Sequence, residues 1–259
     1  MNTEPKLTDQ HVAAHFEMQL SGYYSGKVLG PNGSSYFYSE DIPSLSWNHS
    51  VLADPSNSSH LNFIKDQAAC RHRQPAFFVR ESELKHVMLA LGDKCSVARE
   101  QWMICSRDTL LETPILGELE VRFSKEAVPP DDYCYVLENL FEDNKLNDRF
   151  RNFYVPTLKR STLKAGTSVS HAVGYVEGEP VTCGSVYRAG SFAGLYSVGS
   201  IASRQNRGYG RQVSLALSQS ALNEGAGDIF LQCVIGNHVE RLYSSIGYVS
   251  VEKPGLISI

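Results

Sequence analysis

Six residues carry the sharpest chemical signal in the chain: Gln205-Asn206-Arg207-Gly208-Tyr209-Gly210. Gly208 and Gly210 can take positive φ and put no side chain between backbone and ligand, so successive N–H groups can point outward where a helix begins. A helix N-terminus adds orphan donors and the positive end of its dipole. Arg204, Arg207 and Arg211 place cationic charge beside them. A diphosphate fits such a set of donors. A plain structural turn would use the same glycines, so the flanking residues decide what the loop is for.

Those flanks read as strand before the loop and helix after it. The stretch from Tyr196 to Ile201 is rich in Val, Ile, Tyr and small residues, as a buried strand would be. Val213, Ala216, Leu217 and Ala221 share one helical face at steps of three and four. The usual nucleotide motifs fit poorly. A Walker loop needs Lys-Ser or Lys-Thr after its second glycine, where the chain has Arg211-Gln212. A Rossmann fingerprint needs a third glycine, where Val213 stands, and an acid that closes the next strand, whereas Asp228 opens it.

With Val198-Gly199-Ser200 upstream and Leu242-Tyr243-Ser244-Ser245-Ile246-Gly247-Tyr248 downstream, the chain resembles the GNAT superfamily of N-acyltransferases. That family's loop signature is Gln or Arg, two residues, Gly, one residue, then Gly or Ala. The resemblance implies acetyl-CoA as co-substrate, no metal, and direct transfer of an acetyl group to a primary amine in a ternary complex. It assigns coenzyme A to Val198, Gly199 and Ser200 on the strand, and to Gln205, Asn206, Arg207, Gly208, Tyr209 and Gly210 in the loop. Arg211 and Asn237 complete that set. Tyr243 takes the family's Leu-Tyr position and is the expected general acid, because a phenol with a pKa of about 10 is protonated at neutral pH and can donate to a departing thiolate. Packing, or a hydrogen bond to the cofactor, is the other role open to it.

Two positions depart from the family pattern. The family often has an Asn seven residues before this Tyr, where the chain has Gly236; either the loop is one residue shorter or Asn237 caps a helix starting at His238. Gly194, Leu195, Tyr196 and Ser197 offer no carboxylate, which leaves the general base open among His171, Glu177 and bulk water. A catalytically idle acyl-CoA-binding or regulatory module is therefore the alternative function, and ATP binding at the same loop a third. Asp131, Asp132, Glu138, Glu142 and Asp143 would either draw a cationic amine or form a solvated face.

The 259 residues are 42% hydrophobic and 20% charged, an ordinary globular composition. A net charge of −4 argues against a broad nucleic-acid footprint. Cys70, Cys95, Cys105, Cys134, Cys183 and Cys233 show no Cys-x-x-Cys pair and no metal-ligand spacing, and read as free thiols. Met1 to Lys6 lacks a signal peptide's basic start, and no apolar run approaches the roughly 18 residues of a membrane span. The expectation is a cytoplasmic protein acting on a small-molecule or peptide amine, without nucleic acid or membrane.

The elements that must hold this site form two series. In residues 1–115, helices over 11–20, 60–70 and 83–91 alternate with strands over 45–52 and 76–79, and 30–35 is a turn. This α/β domain reads either as a degenerate GNAT repeat or as an unrelated cap. A linker over 110–116 separates it from residues 116–259. There the order is a strand over 118–123, helices over 131–141 and 146–163, strands over 169–177, 180–187 and 192–202, a helix after the loop, a strand over 228–234, a helix over 238–246 and a strand over 248–251. The fold class is α/β (α+β), a mixed and mostly antiparallel sheet flanked by helices, preceded by the smaller domain.

Overall fold

Helix α1 (Asp9–Gln19) starts at a capping box: the Thr8 hydroxyl accepts the His11 N–H at 3.3 Å, and the His11 ring accepts the Thr8 N–H at 3.2 Å. The computed structural model describes residues 5–51, 57–92, 95–111 and 117–259. After α1 come β1 (Gly26–Leu29), β2 (Ser35–Tyr38), β3 (Asn48–Val51), α2 (Ser58–Ala69), β4 (Ala76–Val79), α3 (Glu81–Leu91) and β5 (Ser96–Ser106). A bridging group follows, β6 (Glu120–Ser124), α4 (Asp131–Leu137), α5 (Asn144–Arg149) and α6 (Val155–Leu158). The chain then runs β7 (Thr167–Val176), β8 (Glu179–Ala189), β9 (Phe192–Ser200), α7 (Tyr209–Asn223), β10 (Asp228–Val234), α8 (His238–Ser244), β11 (Val249–Glu252) and β12 (Gly255–Ser258).

The two series repeat one plan. Three antiparallel strands lead to a helix, a strand parallel to the third, a second helix and a last strand, once as β1 to β5 and again as β7 to β12. Each series also borrows the other's last strand. β5 lies antiparallel on β10, and β12 lies antiparallel on β4 while β11 and β12 follow the far edge of β5. The result is one 12-stranded sheet in the order β1-β2-β3-β4-β12-β5-β10-β9-β8-β7-β6, with β11 beside β5. Strands of both series therefore share one sheet. Most of the expected linker, residues 112–116, lies outside the described residues, as does residue 52 at the end of the expected 45–52 strand.

Three expectations differ from the structure. None of β1, β2, β5 and β12 was expected. The helix over 146–163 is three pieces: α5 and α6 flank a wide turn at Phe150–Tyr154, and Pro156 sits in the first turn of α6, where its missing N–H costs nothing. The strand over 45–52 begins as a tight turn at Leu45–Trp47, and β3 follows.

Two apolar layers cover the sheet. Val213, Leu217 and Ala221 of α7 pack with Leu195 of β9, Leu231 of β10 and Tyr243 of α8 on one face. Val12 and Phe16 of α1 pack with Trp102 of β5, Tyr196 of β9 and Phe230 of β10 on the other. Alternation along each strand sends neighbours to opposite layers, and burying each such side chain contributes about 1.5–3 kcal/mol.

Candidate functional site

β9 and β10 pair only at their first residues, Phe192↔Asp228, Ala193↔Ile229 and Gly194↔Phe230, and then part. The cause lies in β9. Between its pairs Tyr196↔Ser185 and Gly199↔Cys183 it holds one residue more than β8, and Ser197 there takes φ 53°. A bulge with a left-handed residue bends its strand and increases the twist. Serine rarely adopts that conformation. Here the Ser197 hydroxyl shares a 2.6 Å hydrogen bond with the Tyr23 phenol, which fixes the bulge to the N-terminal series. Gly199 follows it because a Cβ would come 2.4 Å from the Leu140 side chain.

The glycine loop is pinned at its base and open at its tip. Ala202 N–H donates to the Asn139 carbonyl at 2.9 Å, and the Gln205 amide donates to the Leu140 carbonyl at 2.7 Å. Asn206 and Gly208 then take φ 62° and 83°, and Gly208 becomes the N-cap of α7 with no side-chain cap. The N-cap thus offers the first N–H groups of a 15-residue helix no side-chain acceptor. A Cβ on Gly210 would meet only Ser200 Oγ at 3.7 Å and Val198 Cγ1 at 3.8 Å, so the protein itself does not fill the space before the helix. Arg207 is exposed beside it.

Besides Gln205, two of the assigned residues have their side chains engaged elsewhere. Tyr209 is 1% exposed and donates to Glu118 Oε1 at 2.7 Å, so only its backbone faces the loop. Arg211 donates from Nε to Ser245 Oγ at 3.0 Å and from Nη2 to the Ser245 carbonyl at 3.1 Å, tying α7 to the end of α8.

Where the strands part lies a cavity of about 400 Å³. Val198, Cys233, Asn237, Val239 and Tyr243 line it from the α7–α8 side. Asn237 caps α8, accepting the Val239 and Glu240 N–H groups at 2.8 and 3.3 Å, so the capping geometry is the one its side chain adopts. Tyr243 is 7% exposed, and burial raises its phenol above the ordinary value while the Ser214 hydroxyl bonds to it. It is protonated at neutral pH.

The other wall comes from the N-terminal series and was not read from the sequence. Ala98, Glu100 and Trp102 alternate along β5 onto one face, with Glu100 opposite Val234. Glu100 is accessible through the cavity yet surrounded by protein, and desolvation raises its carboxyl above the usual range. His15, His49, Ser46 and Gln232 add to the polar lining. Burial lowers His15 to about 3 and His49 to about 4, so both rings are neutral at pH 7. The His15 ring shares a 2.9 Å hydrogen bond with the Tyr196 phenol, and His49 Nδ1 donates to the Leu45 carbonyl at 3.0 Å.

Neither expected base reaches the cavity. His171 is buried 2.7 Å from Ser185 Oγ, whose hydroxyl donates to Tyr133, and Glu177 stands at the tip of the β7–β8 hairpin with φ 53°. The acidic residues of 131–143 do not line it either: Asp131 pairs with Lys159 at 3.0 Å, Asp132 accepts from Tyr175 at 2.8 Å, and Asp143 caps α5. Among the described residues no cluster of His, Cys, Asp or Glu could hold a metal, and no helix is long and apolar enough to cross a membrane.

No protein-family model and no curated protein sequence matches the chain. Solved structures do. The chain is similar to a GCN5-related N-acetyltransferase from Kribbella flavida, with 16% identity over 98% of this chain and 95% of that one and a TM-score of 0.71. It is similar to a tandem GNAT protein from the clavulanic acid biosynthesis pathway, with 11% identity over 93% and 86% and a TM-score of 0.65. A GCN5-related N-acetyltransferase from Sphaerobacter thermophilus superposes with 12% identity over 90% and 79% and a TM-score of 0.60. At these identities the likeness shows the fold. It is the fold of the GCN5-related N-acetyltransferases, and the repeated element order makes it a tandem one.

Proposed function

We propose that the protein is an acyl-CoA-dependent N-acyltransferase that moves an acetyl group from acetyl-CoA to a primary amine by direct transfer in a ternary complex. The observation that carries this reading is the uncapped start of α7 opening beside the cleft that the Ser197 bulge creates. The residues present fit the ligand. The N–H groups at Gly208 to Arg211 and the Arg207 side chain would hold the diphosphate. The unpaired edge of β9 at Val198 and Ser200 would take the amides of the pantetheine arm, with Gly199 keeping the backbone bare. Acetyl-CoA supplies an activated acyl group as a thioester.

The chain's own residues do the rest. As the C–N bond forms and the C–S bond breaks, Tyr243 would deliver the proton on its phenol oxygen to the departing sulfur while the amine nitrogen gives up its proton to solvent, a general-acid role worth typically about 10² to 10⁴ in rate. The buried walls exclude water, which favours transfer over hydrolysis. Both repeats, drawn as 1–115 and 116–259, would serve one active site, the second holding the donor and the first walling the acceptor side. The idle-module alternative rested on the missing carboxylate and the shifted Asn237, and Glu100 supplies a carboxylate in the cleft. Mass-spectrometric detection of acetylated product from a panel of primary amines tests the reading; tight acetyl-CoA binding with no turnover across the panel would favour the idle module.

A further inference from the structure

We infer that the N-terminal wall of the cavity is the acceptor site for a primary amine carried on an apolar aryl or alkyl body free of anionic groups, with Glu100 receiving the ammonium. This rests on the acyltransferase reading and names the substrate class of that same site.

Position comes first. The donor seat and Tyr243 lie on the α7–α8 face of the sheet, whereas Phe16, Phe78 and Trp102 line the same cavity from the α1 face. The cavity thus reaches through the gap between β9 and β10, and an acceptor on the α1 side faces a donor on the other. The Tyr23–Ser197 hydrogen bond ties the acceptor wall to the strand that carries Val198.

Charge comes second. Glu100 is the one Asp, Glu, Lys or Arg lining the cavity among the described residues, and no ion pair holds it. His15 and His49 add no positive charge at neutral pH, because burial keeps both rings unprotonated. A half-enclosed carboxylate without a cation is what an ammonium satisfies, and the two charges attract more strongly there than in open water. A carboxylate or phosphate on the acceptor would meet no cation there and would face Glu100.

Shape and surface come third. Phe16, Trp47, Phe78, Trp102 and Tyr196 present aromatic surface around Glu100's side of the cavity. Such rings pack an apolar body, and their faces attract a cation held within about 6 Å. An amine with a hydroxyl-rich or charged body would leave polar groups unpaired against them.

The chain's two tryptophans, Trp47 and Trp102, both line this wall, so intrinsic tryptophan fluorescence reports on it directly. The full-length protein is titrated with 2-phenylethylamine, with 2-phenylethanol as the uncharged isostere and with phenylalanine as the anion-bearing one. The expected result is a saturable change with 2-phenylethylamine, binding at least about 10-fold weaker for the other two, and a loss of about 10- to 100-fold in amine affinity and amine kcat/KM in Glu100→Gln. Acetyl-CoA affinity, measured by calorimetry on the same variant, stays within about two-fold, which also shows that the variant is folded. Equal binding of phenylalanine and 2-phenylethylamine, or an unchanged amine affinity in Glu100→Gln with acetyl-CoA binding intact, overturns the inference alone. Failure of the wild-type protein to bind acetyl-CoA overturns the acyltransferase reading instead.

Discussion

The starts of α2 and α7 stand at the same point in the two repeats and are finished in opposite ways. α2 begins at Asn57, whose side-chain oxygen accepts the Ser59 N–H at 2.9 Å and the Ser59 hydroxyl at 2.7 Å. α7 begins at Gly208 in the left-handed region and has no side-chain cap. A capped start has its donors met within the protein, and an open one keeps them for an anion. The strands before them differ in the same sense. β3 is buried throughout and pairs with β2 in unbroken register, whereas β9 carries the Ser197 bulge in its pairing with β8. The fold is thus present twice, and of these two helix starts only that of α7 is left open.

Acidification would separate the halves by stability. Burial lowers His15 to about 3 and His49 to about 4 from an ordinary value of 6.5. Between those values the unfolded chain binds protons that the folded chain does not. Stability is therefore full above pH 6.5 and falls as pH drops toward 4, by about 3 kcal/mol for each such histidine. His171, lowered to about 4, is the C-terminal counterpart. Hydrogen exchange at pH 5 is expected to show α1 and β3 opening ahead of α7; equal opening would remove this distinction.

Replacing Tyr243 with Phe should lower turnover by about 10² to 10⁴ and leave acetyl-CoA affinity unchanged. Steady-state kinetics that show undiminished turnover would reduce the residue to packing. Gly208→Val places a β-branched residue at φ 83° and crowds the open donors, so acetyl-CoA affinity should fall about 100-fold or more, read as loss of ligand-induced thermal stabilisation. The smallest effect is at the matching point of the other repeat. Asn57→Ala should cost about 1 kcal/mol of stability in denaturant unfolding and leave acetyl-CoA affinity unchanged. If Asn57→Ala weakened acetyl-CoA binding as much as Gly208→Val, the contrast between the helix starts would collapse.

Much of the C-terminal series was legible because its signals are local. Gly208 and Gly210, the periodic apolar face of α7 and the Leu242-Tyr243 motif each act within a few residues. The N-terminal wall of the cavity was not legible for a physical reason. β5 begins with Ser96, Ala98, Arg99 and Glu100, which are exposed, and only the run from Gln101 to Cys105 is buried, so its first half lacks a strand's burial pattern. Alternation of Ala98, Glu100 and Trp102 was the one signal available. What gives Glu100 its meaning is pairing with Val234, a contact between strands distant in sequence that no local pattern encodes. The Ser197 bulge was equally hidden, since a serine at positive φ is fixed by Tyr23 from the other repeat. Asn237 was read correctly as a possible cap, because capping depends only on its neighbours.

The stoichiometry of acetyl-CoA binding, measured by calorimetry on the full-length protein, tests the central claim most directly. One molecule per chain, lost in Gly208→Val and kept in Asn57→Ala, is the predicted result. Two molecules per chain, or one that survives Gly208→Val, would contradict it.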